Sequence, residues 1–113
     1  VLMRALARAD VVRELTFTGG VFSGEEALQI GFATRLSADP LAEALQMAHE
    51  IAAKSPDAIR AGKRLLNGAA SQSAADLLMA ESVEQQALIG SPNQVEAVKA
   101  NIERRAPRFD APA

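Results

Sequence analysis

The sequence contains no cysteine among its 113 residues. Disulfide scaffolds, thiolate zinc sites and a cysteine nucleophile are therefore excluded, and the composition is compatible with a reducing cytosol. Tyrosine and tryptophan are also absent, so four phenylalanines supply all the aromatic side chains. Alanine is abundant, and small side chains let helices approach closely although each fills little core volume. This composition favours helices that lie against another domain or subunit, with an alanine-rich bundle that folds alone as the alternative.

The charged residues show no excess of basic side chains. Twelve basic and 14 acidic residues give a net charge of -2, whereas a nucleic-acid-binding domain of this size normally has a basic excess. No apolar run approaches the ~20 residues that span a bilayer, and residues 1–4 do not resemble a signal peptide. We therefore expect no nucleic-acid or membrane partner and a cytoplasmic location. Because Val1 is not an initiator residue, we expect a processed chain or a piece of a longer one.

Helix start and stop signals recur along the chain. Ser23 with Glu26 three residues later predicts a capping box, and Gly31 can end the short helix that follows. The Ser-Pro pairs at 55–56 and 91–92 each predict an N-cap followed by proline at the first helical position. The sequence therefore predicts a mainly helical array.

Other segments are defined by the spacing of their apolar residues. The stretch from Leu2 to about Leu15 has near-helical spacing and is interrupted by Asp10. Residues 32–36 alternate like a short strand or an extended connector. Ser73 with Asp76 predicts a further helix start. The helix after the first Ser-Pro pair has an apolar stripe at helical spacing, expected to face inward, made of Ile59, Gly62, Leu66 and Ala69. The helix after the second pair has a stripe made of Val95, Val98 and Ile102.

Few side chains in the sequence suggest catalysis. His49 is the only histidine, so a Ser-His-Asp triad or a histidine metal cluster lacks partners, and a solvated surface position is favoured. Glu81 and Glu84 lie three residues apart on one helix face, as a catalytic or metal-binding pair can, but a solvated face is favoured here too. The sequence therefore assigns no catalytic residue and no metal ligand.

A cluster of cations lies at the end of the last predicted helix and in the residues after it, and comprises Lys99, Arg104, Arg105 and Arg108. Cations are favourable at a helix C-terminus because the unsatisfied carbonyls there carry partial negative charge. Arginine also presents a planar fork that matches phosphate oxygens. The spacing alone leaves both interpretations open.

Four segments, in order, resemble the C-terminal part of the crotonase (enoyl-CoA hydratase/isomerase) superfamily. Residues 14–19 (E-L-T-F-T-G) resemble the family pattern E-L-x-L-T-G, and residues 22–33 resemble I-S-A-x-E-A-L-x-x-G-L-V. Residues 51–58 (I-A-A-K-S-P-D-A) resemble I-A-x-x-S-P-x-A, and residues 96–109 resemble the ending E-G-x-x-A-F-x-E-K-R-x-P-x-F. The specificity of the resemblance comes from the joint occurrence of these matches over nearly the whole chain.

The resemblance implies a mainly α segment of a parent fold that is α/β. Residues 1–36 would form the end of the family's spiral core of ββα turns, including its last helix. Residues 37–113 would form the C-terminal helical region that builds trimer contacts and closes over the acyl-CoA pocket. The N–H groups that stabilise the thioester oxyanion, and the acid/base carboxylates, precede this segment in the family, so the resemblance assigns no catalytic residue to this chain.

By the same resemblance, the chain is the C-terminal part of an enzyme acting on acyl-CoA thioesters, by default hydrating a 2-enoyl-CoA in fatty-acid metabolism. Coenzyme A would enter as part of the substrate, with no covalently bound cofactor, and the protein would form a homo-oligomer, a trimer or a dimer of trimers. The family's ending places Arg104 where a lysine approaches coenzyme A, which implies a phosphate contact. Asn101 replaces a phenylalanine that stacks on adenine, so the full contact is not kept. The alternative is a stand-alone or truncated helical oligomerisation module without catalysis.

Overall fold

The computed structural model describes residues 2–111, and this part of the chain is helical without any strand. The prediction of a mainly α segment is confirmed. No helix in the described part is long and apolar enough to cross a membrane. After a 3₁₀ turn at Leu2–Ala5, the elements are α1 Ala9–Thr18, α2 Gly24–Ile30, α3 Pro40–Ala52, α4 Pro56–Gly68, α5 Ala74–Leu88 and α6 Pro92–Ile102.

The capping box predicted at the start of α2 is confirmed. The Ser23 hydroxyl accepts from the N–H of Glu26 at 3.2 Å, and the Glu26 carboxylate accepts from the N–H of Ser23 at 2.7 Å. Gly31 ends the helix in the left-handed conformation, with φ +88°. The capping box thus gives hydrogen-bond acceptors to two backbone N–H groups at the helix start that would otherwise lack them. Between this cap and Gly31, the helix has only seven residues.

The other predicted helix starts are confirmed in position, and they differ in their side-chain bonds. Ser73 accepts from the N–H of Asp76 at 3.2 Å, and Ser91 accepts from the N–H of Gln94 at 3.3 Å. Ser55 occupies the N-cap of α4 without a side-chain cap bond. Its ψ is 118°, against 154° at Ser91, where the cap bond forms.

The predicted interruption at Asp10 was wrong. Asp10 lies in the first turn of α1, where a carboxylate suits the positive end of the helix, and it pairs with Arg8. The break falls before α1, where Arg8 takes an extended ψ of 145°. Residues 32–36 are a connector, since the N–H groups of Phe32 and Ala33 both donate back to the carbonyl of Ala27.

The chain divides into two compact units, Val1–Ala44 and Leu45–Ala113. The functional division at residues 36 and 37 stays a prediction. In the second unit, α4 contacts both α5 and α6, and small side chains mark these contacts. Ala61 of α4 and Ala100 of α6 are each only 2% exposed.

The prediction that one apolar stripe of α4 faces inward was wrong within this chain. Leu66 is 78% exposed and Ile59 is also exposed, while Ala61 is buried and Leu65 is half-buried. Val95, Val98 and Ile102 of α6 are exposed as well. Among the described residues, the two buried apolar side chains are thus both alanines, while these larger aliphatic side chains lie on the outer faces of their helices.

Candidate functional site at the C-terminal helix and tail

Residues 103–111, here called the tail, follow α6 through a sharp reversal. The N–H of Glu103 donates to the carbonyl of Lys99 at 2.9 Å, which completes the last helical turn. Arg104 then takes φ +52°, the only positive φ at a non-glycine residue in the described part of the chain. The tail returns to the first turn of α6, because the N–H of Asp110 donates to the side chain of Asn93.

Glu96 of α6 holds the middle of the tail. Its carboxylate accepts two bonds from the guanidinium of Arg105, at 2.6 and 2.9 Å, and one from the N–H of Arg108 at 2.7 Å. The Nε of Arg105 also donates to Glu103 at 2.6 Å. A bidentate arginine–carboxylate pair fixes orientation as well as distance, so this arrangement defines the path of the tail.

Asn93 holds the end of the tail. Its side-chain amide donates to the carboxylate of Asp57 at 2.7 Å and to the carbonyl of Asp110 at 3.2 Å, and its oxygen accepts from the N–H of Asp110 at 2.8 Å. The residue is only 3% exposed. Asp57 lies in the first turn of α4, so one buried amide joins two helix starts and the tail. Together, Asn93 and Glu96 with their tail partners are called the tail clasp below.

The tail clasp carries a charge pair that is ionised at neutral pH. The Arg105 guanidinium, followed by the N–H of Arg108, lowers the pKa of Glu96 from 4.5 to about 2. Glu96, followed by Glu103, raises the pKa of Arg105. The carboxylate therefore stays negative and the guanidinium positive well outside the neutral range.

The structure separates the four cations that the sequence groups together. Arg105 is paired with carboxylates, and Arg108 contributes its backbone N–H. The exposed guanidinium of Arg104 forms no ion pair within residues 2–111. The exposed guanidinium of Arg108 likewise forms no ion pair in this part of the chain, so Arg104 and Arg108 are the two of the three arginines whose side chains could meet an anion from outside it.

An open groove runs along the outer face of α6. Its volume is about 290 Å³, and its floor is the apolar stripe that the sequence predicted. It reaches Glu103, the residue before Arg104. This α6 groove therefore combines an apolar surface with one cation and one anion, and it is lined by Gln94, Val95, Val98, Lys99, Ile102 and Glu103.

The carboxylates and the histidine considered from the sequence make local contacts. The Nδ1 of His49 lies 2.7 Å from the carbonyl oxygen of Leu45 on an exposed helix face. Glu84 accepts two bonds from Arg64, at 2.7 and 2.6 Å, which joins α5 to α4. Glu81 accepts from Gln85. Within residues 2–111, no group of three or more histidine or carboxylate side chains is placed to hold a metal ion.

The sequence interpretation missed the part that Asn93 and Asp57 play. Each residue directly follows a Ser-Pro pair, so both occupy the second position of a helix. The repeated pattern Ser-Pro-Asp and Ser-Pro-Asn was the available signal. It did not show that the two helix starts lie side by side.

The family model described as enoyl-CoA hydratase/isomerase matches residues 1–112. Among solved structures, a probable enoyl-CoA hydratase/isomerase from Mycobacterium abscessus is 35% identical, with a TM-score of 0.87 over 96% of this chain and 45% of that chain. DspI of Pseudomonas aeruginosa is 27% identical, with a TM-score of 0.83 over 93% of this chain and 41% of that chain. No curated protein matches significantly.

A similarity in fold alone comes from an enoyl-CoA hydratase of Polaromonas sp. JS666, which is 24% identical with a TM-score of 0.86 over 96% of this chain and 43% of that chain. The chain thus spans less than half the length of each of these structures. The family match covers nearly all of the sequence, and TM-scores of 0.83 to 0.87 indicate the same fold in the matched structures. The chain belongs to the enoyl-CoA hydratase/isomerase family.

Proposed function

We propose that this chain is the C-terminal part of an enzyme that acts on acyl-CoA thioesters, with hydration of a 2-enoyl-CoA in fatty-acid metabolism as the default reaction. The observation that supports this proposal is the family match over residues 1–112, in a chain that spans less than half the length of the related structures. Hydration needs N–H donors for the thioester oxyanion and carboxylates for proton transfer. In this proposal those groups lie outside the chain, and none of its residues is catalytic.

The contacts of the acidic residues support a non-catalytic segment. Glu84 and Glu96 each bind an arginine through both carboxylate oxygens. The pKa of each is lowered, Glu84 by Arg64 and Glu96 by Arg105. A general acid for this chemistry needs a pKa near the working pH, which is a shift in the opposite direction.

Coenzyme A enters this proposal as part of the substrate, with Arg104 as a ligand for one of its phosphates. The guanidinium is exposed and forms no ion pair in the described part of the chain. Its planar fork suits phosphate oxygens. Asn101, one turn earlier, offers an amide instead of an aromatic face, so the proposed contact is to phosphate and does not include stacking on adenine.

The proposed assembly is a homo-oligomer, a trimer or a dimer of trimers, in the cytoplasm and without a nucleic-acid or membrane partner. Exposed aliphatic side chains on α4 and α6 support a covered surface in the working protein. The same exposure also favours the second candidate function, a helical oligomerisation module without catalysis. An upstream reading frame that encodes an oxyanion-type Gly-Gly segment would favour the enzyme.

Crotonyl-CoA hydration tests the proposed location of the catalytic groups. We expect no turnover by the purified 113-residue chain above the buffer rate, measured by the loss of enoyl absorbance. Turnover at an ordinary enzymatic rate would contradict the proposal, because it would require catalytic groups within these residues.

Calorimetric titration with coenzyme A tests the proposed role of Arg104. The variant Arg104→Gly removes the guanidinium while keeping a residue that accepts the positive φ. We expect a loss of affinity of about 10-fold, in line with one lost charge-assisted contact. Titration with dephospho-coenzyme A shows whether the 3′-phosphate is the one that is bound. Unchanged affinity of Arg104→Gly for coenzyme A would refute the phosphate role.

A further inference from the structure

We infer that Asn93 and Glu96 are positioning residues for Arg104, and that the tail clasp fixes the reversal after α6 so that the guanidinium is presented before a ligand arrives. The inference rests on the proposed phosphate role of Arg104. It adds two residues that make no ligand contact themselves and act through the backbone of the tail.

The first observation is the backbone at Arg104. A left-handed φ of +52° is disfavoured for a residue with a side chain and persists where the surrounding contacts determine it. On either side of this residue, the N–H of Glu103 bonds to Lys99 at 2.9 Å and that of Arg105 bonds to Ala100 at 3.0 Å. The reversal is thus tied back to the end of α6.

The second observation is that the clasp holds the chain on the far side of the reversal. Glu96 engages Arg105 and Arg108, and Asn93 engages Asp110. These contacts cover the residue directly after Arg104 and the tail up to residue 110. Without them, only the helix end would restrain the reversal.

The third observation is the contrast between two adjacent arginines. Arg105 binds the carboxylates of Glu96 and Glu103, whereas the exposed Arg104 forms no ion pair within residues 2–111. When the clasp fixes the path of the tail, the guanidinium of Arg105 is paired with carboxylates of the chain. The guanidinium of Arg104 then remains free to bind another anion. A clasp that used the same arginine for both tasks would lose its hold when it bound phosphate.

The consequence for binding follows from population arithmetic. If only a fraction of the molecules presents Arg104 correctly, the apparent dissociation constant rises by the inverse of that fraction. Loosening the clasp lowers this fraction. The intrinsic strength of the arginine–phosphate contact stays the same.

The experiment is calorimetric titration of the 113-residue chain with coenzyme A. The variants are Glu96→Gln, Arg104→Gly, the double variant that combines them, and the matched control Glu84→Gln. The control removes the charge from another bidentate pair, in which Glu84 bonds to Arg64 and makes no hydrogen bond to the tail. We expect Glu96→Gln to weaken binding by about 3- to 10-fold, Glu84→Gln to leave it unchanged, and the double variant to bind like Arg104→Gly.

Native-state hydrogen exchange gives a readout that does not depend on the ligand. In Glu96→Gln we expect faster exchange at the N–H of Arg108, which loses a charged acceptor. In Asn93→Ala we expect faster exchange at the N–H of Asp110. Because Asn93 is buried, its replacement can unfold the unit, and Glu96→Gln then carries the test alone.

The outcomes separate the two proposals. If coenzyme A does not bind, or binds Arg104→Gly as well as the unchanged chain, the phosphate role fails and the positioning role fails with it. If Arg104→Gly weakens binding while Glu96→Gln does not, the positioning inference alone is overturned. It is also overturned if Glu96→Gln weakens binding equally with and without Arg104, because that result indicates a general structural effect.

Discussion

Gly31 shows how much a single residue can determine in this fold. Its φ is +88°, and a Cβ at this position would lie 2.8 Å from the carbonyl oxygen of Leu6. Gly19 also has a positive φ, of +64°, but has open space around it. The two glycines therefore separate the cost of backbone conformation from the cost of a steric clash.

Gly31→Ala is expected to destabilise the protein by about 2 kcal/mol or more, because the conformational cost and the clash add. Gly19→Ala, the control, is expected to cost about 1 kcal/mol from conformation alone. Urea unfolding followed by circular dichroism measures both. Equal effects would show that Leu6 gives way.

Glu96 is expected to make stability depend on pH in the acid range. Its pKa is lowered from 4.5 to about 2 in the folded chain, so the unfolded state binds the proton more readily. The contribution of Glu96 to the free energy of unfolding is fully present above pH 4.5 and is lost as the pH falls towards 2. Across this pH range, the melting temperature should fall more steeply in the unchanged chain than in Glu96→Gln.

Arg105→Gln is the matched variant, since it removes the main cause of the lowered pKa. It should likewise make the melting temperature depend less on pH in this range. Identical slopes in all three proteins would mean that the pair does not form in solution.

At the residue scale, the sequence predicted the hydrogen bonds between residues that are close together along the chain. Ser23 bonds to Glu26 three residues away, and this pattern can be read directly from the sequence. Asn93 bonds to Asp57 and Asp110, which are 36 and 17 residues away. No local pattern reports such distances, so the role of the buried amide of Asn93 could not be predicted from the sequence.

At the scale of elements, three serines occupy helix N-caps in the second unit and differ in one bond. Ser73 and Ser91 accept a backbone N–H, and Ser55 does not. We expect Ser73→Ala and Ser91→Ala each to lower the free energy of unfolding by about 1 kcal/mol. Ser55→Ala is the control and should change it by much less. Urea titration measures all three, and an equal loss at Ser55 would contradict the bond assignment.

The orientation of the helices was less predictable than their bounds. Helical spacing predicted apolar stripes on α4 and α6, but spacing does not state what covers a stripe. Inside this chain, α4 turns Ala61 towards its neighbours and leaves Leu66 outside. The sequence alone could not show this, because the direction of a stripe depends on surfaces that the chain itself does not supply.

At the scale of the whole molecule, aliphatic exposure predicts association. Val21 is 98% exposed, and Val98 and Leu66 lie on open faces of α6 and α4. Burial of these side chains between copies would stabilise the folded state by mass action. We therefore expect the melting temperature to rise with protein concentration and light scattering to report a homo-oligomer.

Val98→Glu should reduce this concentration dependence, because it places a charge within the apolar stripe of α6. Gln86→Glu adds the same charge at an exposed polar position of α5 and is the matched control. A monomer whose melting temperature is independent of concentration would contradict the proposed assembly.

The outward-facing aliphatic stripes also bear on the fate of the newly made polypeptide. Until a partner surface covers them, they are open to non-specific contacts with other chains and to quality-control factors that bind exposed apolar segments. The cellular half-life of this protein should therefore depend on how quickly it meets its proper neighbour. Its abundance would then follow the supply of that neighbour more closely than its own intrinsic folding free energy.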